Sequence, residues 1–253
     1  MELSPDPAER PDPAECPDPA ERPDPAERRD PAEWRLRAAV FDLDGTLVDT
    51  EPRNRVMWSR LFEAHGAPYD DELIASFAGR RGREVLAELT HLFPDHTTVE
   101  ELFLQAISYE NDPDLPPVAP VPGAAELVGA LREAGVPVAV VTSGFRPYAE
   151  GLLAELGVRE LLDHLVTAED VTVGKPDPEG FLAAADHLGV PPETVVAFED
   201  APAGVAAVKA AGMTCVGVAT TQSAQALAQA DVVVPDLNEV DVSPGPALRV
   251  FGG

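Results

Sequence analysis

Four apolar residues, Ala38 to Phe41, run directly into Asp42-Leu43-Asp44-Gly45-Thr46, and this step restricts the possible folds more than any other stretch of the chain. A continuous apolar run of strand length has no polar face to give to water. It belongs in a sheet covered on both sides, as a parallel strand is. Two carboxylates one residue apart at its end, beside a glycine that lets the chain turn sharply, can face one pocket. Two like charges that close repel and call for a cation.

The remainder of the chain is arranged around this strand. From 54 to 65 apolar residues recur at three and four, with Met57, Leu61 and Ala64 beside Trp58 and Phe62. The stretches 70–77, 83–91 and 98–109 are also helical in period. Residues 54–115 therefore read as a small α-helical cap, closed by the proline-rich return linker Asn111-Asp112-Pro113-Asp114-Leu115-Pro116-Pro117. Beyond it, helices are expected at 123–134, 146–156, 181–188, 201–211 and 223–229. They alternate with apolar strands at 136–141, 195–198, 214–218 and 231–234. This alternation predicts an α/β fold: a doubly wound parallel (Rossmann-like) sheet core, residues 36–53 and 116–253, into which the cap is inserted just after the first strand.

Ahead of the core, residues 5–34 are five copies of a hexapeptide, Pro-Asp-Pro-Ala-Glu followed mostly by Arg, with Cys16 and Trp34 as exceptions and Arg29 replacing the first proline of the last copy. Two prolines per copy remove amide donors and fix φ, and almost nothing apolar is available to bury. Residues 1–35 are expected to be a disordered, extended tail.

Composition limits the partners. A formal charge of −27 and a pI near 4.3 argue against a broad basic surface for nucleic acid or an anionic membrane. Cys16 and Cys215 suggest neither a disulfide framework nor a cysteine metal site, and the five histidines, His65, His91, His96, His164 and His187, show no metal-binding spacing. No apolar run approaches the roughly 20 residues of a membrane helix, and no apolar signal core is present. A cytoplasmic monomer acting on a small molecule is the expectation.

In open parallel sheets ligands bind at the carboxyl ends of strands, so the residues directly after each apolar run carry the information. These are Asp42 and Asp44, then Thr142 and Ser143, then Glu199 and Asp200, with Lys175 on the loop Gly174-Lys175-Pro176-Asp177-Pro178. Oxygen donors in such number suit a hard divalent ion, Mg²⁺ being the natural choice. The set fits phosphoryl transfer. Mg²⁺ and Lys175 offset the phosphate charge, Thr142 and backbone amides hold its oxygens, and one aspartate is left to attack. Each element alone has an ordinary reading: Asp-x-Asp as a turn, Gly-Lys-Pro as a solvated loop, Thr142 as a helix cap. Their convergence on one pocket favours function.

In the cap, Arg53, Arg55, Arg80, Arg81 and Arg83 draw on a scarce supply of cations. They suit either anion recognition or ordinary pairing with neighbouring acids. Gly79-Arg80-Arg81-Gly82-Arg83 is the best placed, since glycines free the backbone to present an arginine.

Four segments, Asp42-Leu43-Asp44-Gly45-Thr46, Val141-Thr142-Ser143-Gly144, Gly174-Lys175-Pro176-Asp177-Pro178 and Phe198-Glu199-Asp200-Ala201, in this order, resemble the motifs of the haloacid dehalogenase superfamily. The similarity is to the branch with a helical cap after the first strand, which includes phosphoglucomutase-like enzymes and small-molecule phosphatases. The resemblance implies an aspartyl-phosphate on Asp42 and acid/base work by Asp44. It implies phosphoryl binding by Thr142, Ser143 and Gly144 and charge compensation by Lys175. Mg²⁺ would be held by Asp42, the Asp44 carbonyl, Asp200 and, directly or through water, Glu199; Arg80 and Arg83 are the candidate cap contacts.

Two departures bear on the branch. Phosphoglucomutase-like members place a histidine twelve residues after the nucleophile, where this chain has Asn54, and dehalogenases lack the second aspartate, which here is Asp44. The expected function is a Mg²⁺-dependent phosphatase for a small phosphomonoester such as a sugar phosphate. A β-phosphoglucomutase-type mutase and a non-catalytic phosphometabolite-binding regulator are the alternatives.

Overall fold

The computed structural model describes residues 32–110, 112–245 and 247–252. The tail expected over 1–35 lies outside the described residues as far as residue 31, and its last four residues form a strand. In chain order the strands are β1 (Ala32–Arg35), β2 (Ala38–Phe41), β3 (Val48–Asp49), β4 (Ala119–Pro120), β5 (Val138–Val141), β6 (His164–Val166), β7 (Val195–Glu199), β8 (Thr214–Val218), β9 (Val232–Val234), β10 (Val240–Ser243) and β11 (Ala247–Val250). The helices are α1 (Glu51–His65), α2 (Asp71–Ala75), α3 (Gly82–Leu89), α4 (Val99–Ser108), α5 (Ala124–Glu133), α6 (Arg146–Glu155), α7 (Glu179–Leu188) and α8 (Pro202–Ala210).

The central sheet has the order β6-β5-β2-β7-β8-β9, with every pair parallel. Along β2, Ala39 and Phe41 pack into one apolar layer with Leu127, Leu131 and Leu153, while Ala38 and Val40 pack into the other with Phe181, Val205 and Val208. Alternate side chains thus go to opposite faces, and both faces are covered, which is why the run carries no polar residue. Phe41 pairs in register with Phe198 on β7, and their rings stack with centroids 4.4 Å apart. Burial of one such ring contributes about 1.5–3 kcal/mol. The chain runs outward from β2 to β5 and β6, then returns to β7 on the other side of β2. Strand order therefore reverses at β2, the position at which such sheets open a crevice at their carboxyl ends.

The helices α1 to α4 bury a separate apolar cluster that includes Leu61, Phe62, Ile74, Leu86 and Leu102. Local signals set their starts. Thr98 and Glu101 form a capping box on α4, and Asp70 accepts the Leu73 amide at 2.8 Å ahead of α2. The chain leaves the core through β3 and returns through β4, and these pair antiparallel, Val48 with Pro120 and Asp49 with Ala119. The first cap helix begins at Glu51, three residues before the expected start.

Two local expectations fail. Residues 223–229 form turns rather than a helix, because Leu227 alone among them is buried and the alanine spacing supplies no apolar face. Nothing in the sequence pattern marks the short strands β1, β3, β4, β6, β10 and β11; β1, β11 and β10 make a separate antiparallel sheet, and β6 extends the main sheet at its edge. Runs of two to four residues give too little periodicity to register. Among the described residues, no helix is long and apolar enough to cross a membrane.

Candidate active site

Asp42 follows β2 directly, Thr142 follows β5, and Glu199 ends β7, so three adjacent strands bring their polar ends together. Asp42 and Glu199 are buried at 2% and 0% exposure, Asp200 at 1% and Lys175 at 5%. Lys175 reaches in from the loop ahead of α7. Its ammonium donates to Asp42 Oδ1, to Glu199 Oε1 at 2.6 Å and to the Val141 carbonyl at 3.3 Å. The other oxygen of Glu199 accepts the Ala201 amide at 2.9 Å. Asp200 accepts from Thr46 at 3.1 Å and from the Thr221 hydroxyl.

Gly45 allows this crowding. At φ +93° it adopts a conformation that disfavours a side chain, and a Cβ there would lie 2.1 Å from Asp200 Oδ2.

The charges do not balance within the protein. Carboxylate oxygens of Asp42, Glu199 and Asp200 lie within 4.8 Å of one another, with one ammonium among the described residues in contact. Burial lifts the Asp42 carboxyl to about 8 despite the pull of Lys175, with the charges of Glu199 and Asp44 adding to the rise. Asp200 is raised for the same reasons: burial first, then Glu199 and Asp42. Burial alone would depress Lys175, but the Asp42 and Glu199 charges overcome that and raise it. Asp42 Oδ2 is buried and has no hydrogen-bond partner among the described residues. An orphaned oxygen within an all-oxygen donor set is what a hard divalent cation fits.

Asp44 faces elsewhere. Its Oδ1 accepts Thr50 at 2.8 Å and Tyr148 at 2.6 Å, and its Oδ2 accepts Thr142 at 3.2 Å. Thr50 stands at the N-cap of α1 yet makes no capping bond, its hydroxyl being given to Asp44 instead. Asn54 donates to Thr50 at 3.2 Å and so extends the same chain of hydrogen bonds. Asp49 accepts the Glu51 amide at 3.2 Å. Burial and the Asp44 charge push the Tyr148 phenol up, so it remains a donor.

The cap covers this site. A cavity of about 290 Å³ extends from Asp42 and Asp44 past Tyr148 to Trp58, Phe77 and Glu110, and Ser143, Gly144 and Arg80 also line it. The Gly79 carbonyl accepts Ser143 Oγ at 3.1 Å, and a Cβ on Gly79 would lie 2.6 Å from that of Ala201, so the glycine is what allows this cap loop to touch the core at both points. Arg81 donates to the carbonyls of Ala168 at 2.9 Å, Val171 at 2.8 Å and Thr172 at 3.0 Å. Glu84 accepts the Gly174 amide at 3.1 Å, beside Lys175.

The cap arginines are mostly paired: Arg80 with Glu88, Arg83 with Glu100 at 2.9 Å, and Arg55 with Asp71 at 2.9 Å. Arg53 donates to the Pro116 carbonyl at 3.2 Å. Arg83 lies outside the cavity lining, with its guanidinium 4.0 Å above the Phe103 ring and 5.1 Å from that of Phe145.

Sequence reasoning passed over Tyr148, Thr46, Thr221 and the two cavity-lining glutamates Glu51 and Glu110. Thr221 lies three residues beyond β8, so the rule of strand ends, carried one strand further, reaches its vicinity. Tyr148 sits in the first turn of α6 and returns toward the strand end; nothing local marks it.

The haloacid dehalogenase-like hydrolase family matches residues 36–212. The validoxylamine A 7′-phosphate phosphatase of Streptomyces hygroscopicus subsp. limoneus is 50% identical over 204 residues, covering 81% of this chain and 95% of that protein. Hexitol phosphatase A of Escherichia coli is 33% identical, covering 84% of this chain and 96% of its own. Among solved structures, a hydrolase from Pseudomonas syringae superposes with a TM-score of 0.70 at 28% identity, over 79% of this chain and 94% of that one.

Proposed function

The chain belongs to the haloacid dehalogenase-like hydrolases and is a phosphoric monoester hydrolase, and we propose that it works on a small carbohydrate-like phosphomonoester through an aspartyl-phosphate on Asp42. The observation that carries this reading is the buried Asp42 carboxylate, held at one oxygen by Lys175 and unpartnered at the other, at the inner end of a covered cavity.

Asp42, Asp200 and Glu199 would hold Mg²⁺ together with the Asp44 carbonyl, and the ion supplies positive charge where the phosphoryl oxygens gather. Lys175 would add a second positive charge from the loop ahead of α7, and Glu199 fixes its ammonium. Thr142, Ser143 and Gly144 would hold the phosphoryl oxygens; in the structure the Gly144 amide donates to the Thr142 hydroxyl at 2.9 Å, and that hydroxyl donates to Asp44 at 3.2 Å. An Asp42 oxygen attacks phosphorus as the bond from phosphorus to the leaving oxygen breaks. Asp44 gives its proton to that oxygen, releasing the alcohol. Asp44 then takes a proton from water, whose oxygen attacks phosphorus and breaks the bond to Asp42, freeing inorganic phosphate. Thr50, Tyr148 and Thr142 hold the Asp44 carboxyl at the boundary between the phosphoryl site and the cavity.

The cap arrangement supports the role of a water-excluding lid over residues 54–115. Asn54 carries an amide that cannot take a proton in place of the histidine of mutase-like relatives, and it is already committed to Thr50, which favours hydrolysis over isomerisation. The distinguishing assay supplies a hexose 1-phosphate: a phosphatase gives free phosphate, a mutase the 6-phosphate. Asp42→Asn should abolish turnover with the fold intact, and robust hydrolysis of p-nitrophenyl phosphate by that variant would sink the mechanism.

A further inference from the structure

Beyond Asp44 the cavity is lined by two further carboxylates, Glu51 and Glu110, together with the aromatic side chains Trp58 and Phe77, which stack with centroids 4.2 Å apart. The cations lining this space are already engaged. Arg80 is bound to Glu88, and Arg55 to Asp71 at 2.9 Å and more loosely to Glu51 at 3.6 Å. Glu110 differs from them: among the described residues its side chain has no hydrogen bond or ion pair, and Arg53 only offsets part of its charge from nearby. Burial raises the carboxyl of Glu110, with the Asp44 charge adding to the rise, and burial likewise raises Glu51 against the pull of Arg55. Burial thus holds back the ionisation of both carboxyls, and among the described residues no cation lining this space is spare to relieve it. That this same space receives a ligand follows independently from Asp42, whose buried, unpartnered oxygen belongs to its other end.

We propose that Glu110, assisted by Glu51, forms a subsite for a cationic nitrogen, so that the preferred substrates are phosphomonoesters whose leaving alcohol carries an amine. The inference rests on the phosphatase reading above and specifies the leaving group that Asp44 protonates. An ammonium entering past Asp44 meets the unpaired carboxyl of Glu110, whose ionisation the cation favours, beside the rings of Trp58 and Phe77 that line the same space. A leaving group with its own carboxylate or second phosphate meets Glu51 and Glu110, and like charges in a partly dry cavity repel. The same subsite therefore selects amines and rejects acids.

Two sets of esters of matched shape test this with the full chain and Mg²⁺. One is 2-aminoethyl phosphate, 2-hydroxyethyl phosphate and phosphoglycolate; the other is glucosamine 6-phosphate, glucose 6-phosphate and 6-phosphogluconate. Wild-type kcat/KM should rank amine over neutral over acid in at least one set, with a step between amine and neutral ester on the order of tenfold. Glu110→Gln should bring the ratio of amine to neutral ester close to one, and Glu110→Lys should move the acid ahead of the amine. Phosphate release from these esters without that ranking, or a ranking unchanged in Glu110→Gln, overturns the subsite alone. No release from any of them overturns the phosphatase reading and the subsite with it.

Discussion

The two ends of the cavity are built from different materials. At the phosphoryl end, Asp42, Glu199, Asp200 and Lys175 are almost fully buried on strand ends and a loop, and their side chains bond to one another, to Thr46 and Thr221 and to the backbone of Val141 and Ala201. At the cap end the polar groups are partly exposed and come from cap helices and loops, as in Arg55 with Glu51 or Arg80 with Glu88. Buried ionic groups tolerate little change, because removing one partner leaves a charge stranded at a cost of about 3–5 kcal/mol. Exposed pairs are worth about 0–1 kcal/mol and can be exchanged. On the proposed reading the chemistry is held by the buried end, and the choice of substrate is left to the partly exposed one.

That contrast can be broken first at Lys175. Lys175→Met should lower kcat about a hundredfold or more and also destabilise the protein, since Asp42 and Glu199 lose their shared cation. A variant with near-normal kcat would show that the buried end is not the reactive one.

Tyr148 lies at the boundary and sharpens the division. Tyr148→Phe removes one hydrogen bond to a charged partner, worth about 1.5–3 kcal/mol, so kcat/KM for an alkyl phosphate should fall about ten- to a hundredfold. The loss should be smaller with p-nitrophenyl phosphate, whose leaving group needs little help from an acid. Equal losses on both esters would mean that Tyr148 serves packing rather than the orientation of Asp44.

Arg81 tests the join between the ends. Its three bonds to the 168–172 loop fasten cap to core, so Arg81→Ala should raise KM several-fold for a full-sized substrate with a smaller change in kcat. A fall in kcat alone would place Arg81 in the chemistry instead.

The smallest effect expected is in thermal stability. Asp42 rises from its usual 3.8 to about 8 on folding, so the stability linked to it is full below the usual value and is lost as pH climbs through about 8. A metal competes with that proton for the same carboxylate. The Tm gain from Mg²⁺ over an EDTA control should therefore grow from pH 6 to pH 8.5, and a gain that shrinks over this range would contradict the assignment of Asp42 as a ligand.

How far the amino-acid sequence alone leads follows the same line. Asp42, Thr142 and Glu199 could be placed because each ends an apolar run, and a run buried on both faces announces a parallel strand whatever surrounds it. Lys175 needed the motif around it. Tyr148 and Glu110 could not be placed, since each reaches the site through a helix orientation and a cap position that no local period encodes. Arg83 shows the converse. Its glycine-flanked segment suggested a substrate contact, while in the fold its charge meets Glu100 and its plane lies over Phe103.

The most direct test of the account is a single-turnover reaction of the Mg²⁺-loaded enzyme with a sugar phosphate, quenched in acid and digested for mass spectrometry. A phosphoryl group appearing and then disappearing on the peptide that contains Asp42, at the rate of phosphate release, is the predicted result. Full-rate phosphate release with no such adduct, or with the adduct on another peptide, would contradict it.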